Sequence, residues 1–215
     1  MAIAYRSTAT AGVNSTTITN NVPAGTVDGD ILLWAVAANF NASSPTFATP
    51  AGWTVILNNN NADRQITVFA KTASSEPASY AITPSVTGFS GGGRMIAYSG
   101  GDGLDVSSGA YFNTATTSYV AGSVTTTKTN ETLVGIYLAK NLSTSFTPAG
   151  TMTERADSSA GNGYTIEVCD EVIAATGATG TRTATCAGSF VGAAFLVSIF
   201  VNPTSVVPKL FFASL

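Results

Sequence analysis

The side chains that most often do chemistry in proteins are sparse in this chain. Its 215 residues include no histidine, which excludes Ser-His-Asp and Cys-His catalysis and most zinc sites. Glycoside hydrolysis requires two carboxylates that face each other across a cleft. Asp170 and Glu171 are neighbours on a predicted strand and point to opposite faces, and no spacing in the sequence pairs Glu154 with Glu167. We therefore expect no enzymatic activity and no cofactor.

A glycine-rich acidic stretch is the best candidate for a ligand site. Residues 100–105 read Gly-Gly-Asp-Gly-Leu-Asp, and the carboxylates of Asp102 and Asp105 could hold a calcium ion together with backbone carbonyls. The alternative is that each aspartate hydrogen-bonds within its own turn. The second interpretation is the simpler one, so calcium is kept as a candidate and no metal is predicted.

Two cysteines, Cys169 and Cys186, lie on either side of the segment Ala-Thr-Gly-Ala-Thr-Gly at 175–180. The glycines indicate a hairpin turn, and counting back from its centre places the two sulfurs near each other. A pair of buried free thiols and a disulfide both fit this spacing. Free thiols are expected if the protein is made and assembled in the cytosol.

Aromatic side chains outside the predicted strands are candidates for contact with other molecules. Tyr111 and Phe112 lie in a predicted connecting loop over residues 100–116, where they could anchor a neighbouring protein. A sugar platform built from Trp53, Tyr111, Phe112 and Tyr119 is a second interpretation, although Trp53 also fits a core position.

The last segment, 202–215, has the composition of a docking tail. It is too apolar for a free end, and two prolines preclude a regular helix across it. We expect it to dock on its own fold or in a groove of an adjacent subunit. The residues that would make this contact are Val206, Val207, Leu210, Phe211, Phe212 and Leu215.

The strands that must position these groups are organised around one apolar run. Residues 31–38, Ile-Leu-Leu-Trp-Ala-Val-Ala-Ala, follow a Gly-Asp turn and contain no charge, which is typical of a strand buried on both faces. A second run at 130–139 resembles it about one hundred residues later. Short predicted strands separated by turn residues surround both runs, and no window predicts an amphipathic helix. The pattern therefore indicates a β-sandwich or barrel.

The second run belongs to an internal duplication, with pseudo-repeats at about 15–103 and 117–201. The matching segments are Thr-Pro-Ala-Gly at 49–52 and 147–150, Ile-Thr-Val at 66–68 with Ile-Glu-Val at 166–168, Ile31-Leu32 with Leu133-Val134, and 95–97 with 195–197. The connection between the repeats contains apolar residues that favour burial. We therefore predict that residues 1–201 form a single sandwich domain, followed by the tail.

The order of these motifs resembles a β-sandwich module of tailed-bacteriophage structural proteins, which occurs in head decoration proteins, head fibres and minor tail proteins. The residues that carry the resemblance are Val22-Pro23-Ala24-Gly25, the run at 31–38, Thr49-Pro50-Ala51-Gly52-Trp53-Thr54-Val55, Val68-Phe69-Ala70-Lys71, Glu76-Pro77-Ala78-Ser79-Tyr80 and Ile96-Ala97-Tyr98-Ser99-Gly100, with a second round at Pro148-Ala149-Gly150 and Met152-Thr153-Glu154-Arg155. The resemblance implies an all-β, jelly-roll-like antiparallel β-sandwich with a non-enzymatic, surface-exposed role.

The resemblance also implies a kind of partner. The chain is nearly all module, with no long fibre repeat, which favours a capsid decoration protein on the outer head surface. Its partners would be the major capsid protein or another virion protein, and further copies of itself, since jelly-roll proteins of this type often form trimers. The alternative is a tail-associated adhesin, a receptor module that binds glycans.

Composition agrees with this expectation. Charged residues make up 10% of the chain, against about 25% in average proteins. The net charge is −3 and the nine lysines and arginines are scattered, which argues against nucleic-acid binding. The longest apolar stretch, 190–201, is too short to span a bilayer, and the first residues lack the features of a signal peptide. We expect a virion location after synthesis in the host cytoplasm, with no membrane partner.

Overall fold

The computed structural model describes residues 2–14, 16–40, 46–61 and 63–202, which form fifteen β-strands and no helix. None of these residues belongs to a helix long and apolar enough to cross a membrane. The first seven strands are β1 (Ala4–Val13), β2 (Ile18–Asn21), β3 (Ile31–Asn39), β4 (Thr54–Asn61), β5 (Arg64–Thr72), β6 (Ser79–Ile82) and β7 (Ser90–Ser99). The other eight are β8 (Gly103–Ala121), β9 (Thr125–Thr126), β10 (Glu131–Ala139), β11 (Phe146–Thr147), β12 (Thr153–Ser159), β13 (Thr165–Ile173), β14 (Gly177–Ala178) and β15 (Arg182–Phe200).

Two antiparallel sheets pack on either side of one central apolar cluster, to which both contribute. The first sheet has the strand order β4-β5-β3-β7-β1-β2-β6. The second has the order β11-β15-β10-β13-β12, with β8 also paired to β15, and β9 and β14 form a separate ribbon. The predicted all-β antiparallel sandwich is therefore confirmed.

The strand pairing follows the same plan in the two sheets. In the first sheet β3 lies between β5 and β7, while β4 pairs with β5 and β1 with β7. In the second sheet β10 lies between β13 and β15, while β12 pairs with β13 and β8 with β15. The β2–β6 pair recurs as β9–β14. Even a β-bulge recurs, between Val55 and Leu57 in β4 and between Glu154 and Ala156 in β12.

The two central strands, β3 and β10, are buried on both faces, as their apolar sequences predict. Along β3, Leu33 faces the central cluster between the sheets, and Trp34 faces a second cluster on the outer side of the first sheet. Ile18 of β2 and Ile82 of β6 belong to that outer cluster. The second sheet has an outer cluster of its own, in which Tyr119 of β8 takes part. Each sheet therefore encloses an apolar cluster on the side that faces away from its partner.

The shared bulge aligns the two halves residue by residue. Equivalent positions, read from the strand pairing, are Val55 and Glu154, Asn58 and Asp157, Thr67 and Glu167, Phe69 and Cys169, Trp34 and Gly135, and Leu32 and Leu133. The predicted match of 66–68 with 166–168 is confirmed by this alignment.

Two of the sequence-based matches are wrong by one residue. The sequence pairs Ile31 with Leu133, but Ile31 lies in the central cluster and Leu133 in the outer one. The match of Met95 with Phe195 fails in the same way. Successive residues of a strand point to opposite faces, so a slip of one residue exchanges the two clusters.

The predicted connecting loop at 100–116 is a strand for most of its length. Residues from Gly103 to Ala121 form β8, which runs beside the equally long β15. The segment begins with several glycines and serines, which favour turns when no partner strand is considered. Pairing with β15, about eighty residues away in sequence, overrides that local preference.

The cysteines are free and buried, and no disulfide forms between them. Cys169 lies on β13 and Cys186 on β15, and these two strands flank β10 on opposite sides. The predicted hairpin turn at 175–180 is wrong, because Gly177 and Ala178 form β14 and pair with β9 instead. The free-thiol interpretation is therefore the one that the structure supports.

A polar link joins the two sheets inside the central cluster. The Tyr98 hydroxyl on β7 donates a hydrogen bond to Asp170 Oδ2 on β13 at 2.8 Å. Arg155 on β12 donates to both oxygens of Asp170, each at 2.9 Å, and its guanidinium lies over the Tyr5 ring. The link satisfies a carboxylate that is almost fully buried between the sheets.

Candidate functional site

The two aspartates of the glycine-rich stretch are both engaged by distant parts of the chain. Asp105 accepts hydrogen bonds from the backbone N–H and the hydroxyl of Thr127, both at 2.6 Å. Asp102 accepts one from the Asn202 N–H at 2.6 Å. Burial alone would raise the pKa of Asp105, but the hydrogen bonds from Thr127 outweigh it and lower the pKa. The alternative that these side chains bond within their own turn is therefore wrong, and calcium at Asp102 and Asp105 stays an untested candidate.

The predicted docking aromatics lie on β8 and pack on their own sandwich. The Tyr111 ring stands edge-on to Phe195 at 5.4 Å between centroids, and Phe112 stands edge-on to Tyr119 at 5.0 Å. Burial raises the pKa of Tyr111 to about 12. Their role in partner docking stays a prediction, although each already contacts a core residue. The tail residues Val206, Val207, Leu210, Phe211, Phe212 and Leu215 lie outside the described residues.

The sugar platform does not assemble. Trp53 and Tyr119 are buried in the outer clusters of different sheets. Tyr111 packs against the central cluster and Phe112 against the outer cluster of the second sheet. The four rings therefore do not share one exposed face.

The structure instead brings three carboxylates together on the outer face of the second sheet. Asp157 of β12 pairs with Glu167 of β13, and Glu154 pairs with Cys169 two residues further along β13. Residues three apart on a regular strand point to opposite faces, but the bulge after Glu154 adds one residue and returns Asp157 to the same face. Oxygens of Glu154, Asp157 and Glu167 lie within 4.8 Å of one another. We call these three residues the acidic cluster.

The inner part of the acidic cluster has unsatisfied oxygens. Glu167 is 0% exposed, and neither of its carboxylate oxygens has a hydrogen-bond partner of normal geometry among the described residues. The Cys169 thiol acts on Glu167 as the smallest of the causes that shift its pKa. Asp157 accepts a hydrogen bond from the Phe146 N–H at 2.8 Å through Oδ2, but its Oδ1 is buried and unpartnered in the same described set. Glu154 is exposed and opens the cluster to solvent. Buried carboxylate oxygens without partners are costly, so this arrangement calls for an explanation.

The electrostatics of the acidic cluster favour a bound positive charge. Burial raises the pKa of Glu167 to about 9, and the charges of Asp157 and Glu154 add to that rise. Burial also raises the pKa of Asp157. The titratable and charged groups that act on Glu167 are Asp157 and Glu154 on β12, Cys169 on β13, Tyr137 on β10 and Arg94 on β7. A proton or a cation would relieve the repulsion among the three carboxylates.

Arg94 does not neutralise the acidic cluster directly. Its guanidinium donates to the Ser158 hydroxyl at 2.7 Å and to the Ser158 carbonyl at 3.3 Å. Ser158 follows Asp157 on β12 and so points to the other face of the sheet. The arginine is nearly fully buried, and burial lowers its pKa.

The sequence alone does not pair Glu154 with Glu167, because the register of β12 and β13 brings them to one face and the bulge adds Asp157. One signal was present in the sequence. The match of Ile-Thr-Val at 66–68 with Ile-Glu-Val at 166–168 places a glutamate where the first repeat has a small neutral residue. A charge at a position that the repeat predicts to be buried marks a functional candidate.

Comparison of the chain with models of protein families, with curated proteins and with solved structures found no match. The resemblance to bacteriophage sandwich modules therefore rests on the sequence motifs alone.

Proposed function

We propose that the protein is a non-enzymatic structural protein of a bacteriophage virion, acting as a capsid decoration protein on the outer surface of the head. The order of the motifs along the chain supports this proposal, and so does the twofold repetition of one strand plan. The observation that supports it most strongly is that most basic side chains form ion pairs within the molecule.

Most of the basic side chains are engaged within the molecule. Of the eight lysines and arginines among the described residues, five form ion pairs with carboxylates. The pairs are Arg6–Asp30, Arg64–Asp63, Lys71–Glu76, Arg155–Asp170 and Arg182–Glu171. Removing free charges from water opposes association. A surface with few free charges can therefore pack closely against a shell or against further copies of the chain.

An exposed apolar residue supplies a candidate contact point. Val172 on β13 is 68% exposed, and it borders a concave surface that Ala2, Ile3, Thr132 and Val201 also line. Apolar anchors in shallow concavities contribute strongly to protein–protein binding. We propose that this surface takes part in the contact with the capsid.

Binding to heads tests the proposal. The purified chain is mixed with expanded empty heads of the virus that encodes it, and the bound fraction is measured by co-sedimentation. We expect saturable binding, and Val172→Lys should weaken it at least about tenfold. Val27→Lys is a matched control, because Val27 is also exposed, at 55%, and lines a different concavity. Absence of saturable binding by the unaltered chain would refute the decoration role.

Two further measurements separate the remaining alternatives. Deletion of residues 206–215 should reduce head binding if the predicted docking tail contacts the capsid, and unchanged binding would reject that role for the tail. A glycan array tests the adhesin. Glycan binding without head binding would replace the decoration role with a receptor-binding one.

A further inference from the structure

We propose that the acidic cluster, Glu154, Asp157 and Glu167, binds one divalent cation, and that calcium is the ion it fits best. The site lies on the outer face of the second sheet, between the edge strand β12 and its neighbour β13. This proposal is independent of the decoration role, because it rests on side-chain geometry within one chain.

The spacing of the oxygens fits a shared ion. Calcium binds oxygen ligands at about 2.4 Å, so two oxygens on opposite sides of one ion lie at most about 4.8 Å apart. One carboxylate oxygen from each of the three residues lies within 4.8 Å of the other two, so a single ion could contact all three. Asp157 Oδ2 accepts a hydrogen bond from the Phe146 N–H, while its Oδ1 has no hydrogen-bond partner among the described residues. The exposed side of Glu154 gives an entry path and room for water ligands.

A bound cation would also resolve the unpartnered atoms. Both oxygens of fully buried Glu167 and the buried Oδ1 of Asp157 lack hydrogen-bond partners in the described part of the chain. A single proton on Glu167 could be donated to Asp157 Oδ1, which would satisfy two of these oxygens and leave the other oxygen of Glu167 without a partner. A divalent ion contacts all three carboxylates at once and offsets their mutual repulsion.

The ligand set selects a hard ion. The three groups offer oxygen atoms, which calcium and magnesium prefer. The nearby thiol of Cys169 donates to the sulfur of Met152 at 3.5 Å, so the acidic cluster itself offers oxygen ligands and no soft ligand for zinc. Magnesium requires a nearly ideal octahedron with shorter bonds of about 2.0–2.1 Å, whereas calcium tolerates irregular sites that water completes.

The first half of the chain shows that the fold itself does not require these acids. Asn58 and Thr67 occupy the positions of Asp157 and Glu167, beside the same bulge. The Thr67 hydroxyl donates to Asn58 Oδ1 at 2.8 Å, so two neutral side chains satisfy each other there. Three acids at the corresponding point of the second half therefore serve a purpose beyond strand pairing.

Calcium binding is tested on the full chain after treatment with a chelator. Calcium chloride is titrated into the protein by isothermal calorimetry, and the melting temperature is measured with and without the ion. At a calcium concentration about 100 times Kd, binding should raise the melting temperature by about 5–10 °C. Magnesium chloride at equal concentration should give a smaller shift, and an equal shift would overturn the choice of calcium.

Three variants locate the ion. Asp157→Asn combined with Glu167→Thr copies the first half and should abolish the calcium response. Glu154→Gln changes an exposed residue that does not endanger folding, and it should weaken calcium binding at least about tenfold. Asp102→Asn removes a carboxylate from the other acidic stretch and should leave the response unchanged.

Two results would overturn the proposal. One is the absence of heat and of a melting shift in the unaltered chain up to about 10 mM calcium, which is tenfold above the Kd of the weakest protein calcium sites. The other is an undiminished response in the Glu154→Gln variant, which would place any bound ion elsewhere.

Discussion

The two halves of the chain place different chemistry at the same point of the same strand plan. In the first half, Asn58 faces Thr67 and the two side chains share a hydrogen bond of 2.8 Å. In the second half, Asp157 faces Glu167, and the oxygens of Glu167 have no hydrogen-bond partner among the described residues. The strands, their register and the adjacent bulge are the same. The backbone is therefore the same in both halves, and the difference lies in the side chains on the outer face.

The outer clusters of the two sheets differ in the same way. In the first, Trp34 lies 5.4 Å from Trp53 and 5.8 Å from Phe69, measured between ring centroids. At the equivalent positions the second sheet has Gly135 for Trp34 and Cys169 for Phe69. A side chain on Gly135 would meet the Tyr137 ring and the Cys169 sulfur. The repeated plan thus fixes which strands pair, while the outer faces are filled in different ways.

The largest expected effect tests this contrast between large and small residues. Phe69→Ala removes a fully buried ring, and we expect it to lower the free energy of unfolding by about 3–5 kcal/mol. Cys169→Ala removes one buried sulfur at the equivalent position, and we expect a loss of about 1 kcal/mol. Urea denaturation of both variants gives the comparison. Equal losses would show that the two outer clusters contribute similarly despite their different side chains.

The next effect concerns a contact that the halves do not repeat. Tyr98→Phe removes the hydrogen bond to Asp170 and should lower the free energy of unfolding by about 1.5–3 kcal/mol. The counterparts of Tyr98 and Asp170 in the other half are Ile199 and Ala70, which are apolar. The first sheet therefore supplies the tyrosine and the second sheet the aspartate, and the equivalent positions of the other half do not repeat the hydrogen bond.

Tyr164→Phe is the matched control for this measurement. Tyr164 is also fully buried in the central cluster, and its hydroxyl has no hydrogen-bond partner among the described residues. Removal of that hydroxyl should leave the free energy of unfolding unchanged or raise it. A loss as large as that of Tyr98→Phe would mean that the hydroxyl is satisfied by a group outside the described structure.

Much of this architecture could be predicted from the sequence, because its strongest signals are local. The apolar run at 31–38 and its copy form the central strands. A strand that is buried on both faces has a continuous run of apolar residues, without the alternation of apolar and polar residues found in a half-exposed strand. Strand β8 was missed because its serines and glycines look like loop residues until β15 is placed beside it. The match of Ile31 with Leu133 failed by one residue, because both faces of these strands are apolar and periodicity cannot fix the register.

The acidic cluster could not be predicted, for a related reason. Glu154 and Glu167 meet through the antiparallel register of β12 and β13. A bulge then decides that Asp157 joins them on the same face. Neither the register nor the bulge leaves a residue pattern in one sequence. The sequence does contain one relevant signal, which is that Glu167 occupies the position of Thr67 in the other repeat.

Replacing the two inner acids of the acidic cluster with uncharged residues should change the free energy of unfolding by an intermediate amount. In protein freed of metal, Asp157→Asn with Glu167→Thr removes buried, unpartnered carboxylates, and should raise the free energy of unfolding by about 1–3 kcal/mol. The reciprocal change in the first half, Asn58→Asp with Thr67→Glu, should lower it by a similar amount or more. Both are measured by urea denaturation in a chelator. A destabilising exchange in the second half would show that the carboxylates are satisfied without a cation.

The smallest effect is the response of the first half to acid. Glu76 accepts hydrogen bonds from Tyr80 at 2.6 Å and from the Ser74 N–H at 2.8 Å, and it pairs with Lys71 at 2.7 Å. Burial alone would raise the pKa of Glu76, but these contacts outweigh it and lower the pKa. In the second half, by contrast, burial raises the pKa of Glu167.

Because the folded pKa of Glu76 lies below the unfolded value of about 4.3, its contribution is fully present above that pH and is lost as pH falls through the folded pKa. Glu76→Gln should therefore cost about 1 kcal/mol at pH 7 and less at pH 3. Urea denaturation at both pH values measures the difference, and Tyr80→Phe, which removes one donor, should reproduce part of it. An equal cost of Glu76→Gln at both pH values would mean that Glu76 stabilises this turn through contacts that do not depend on its charge.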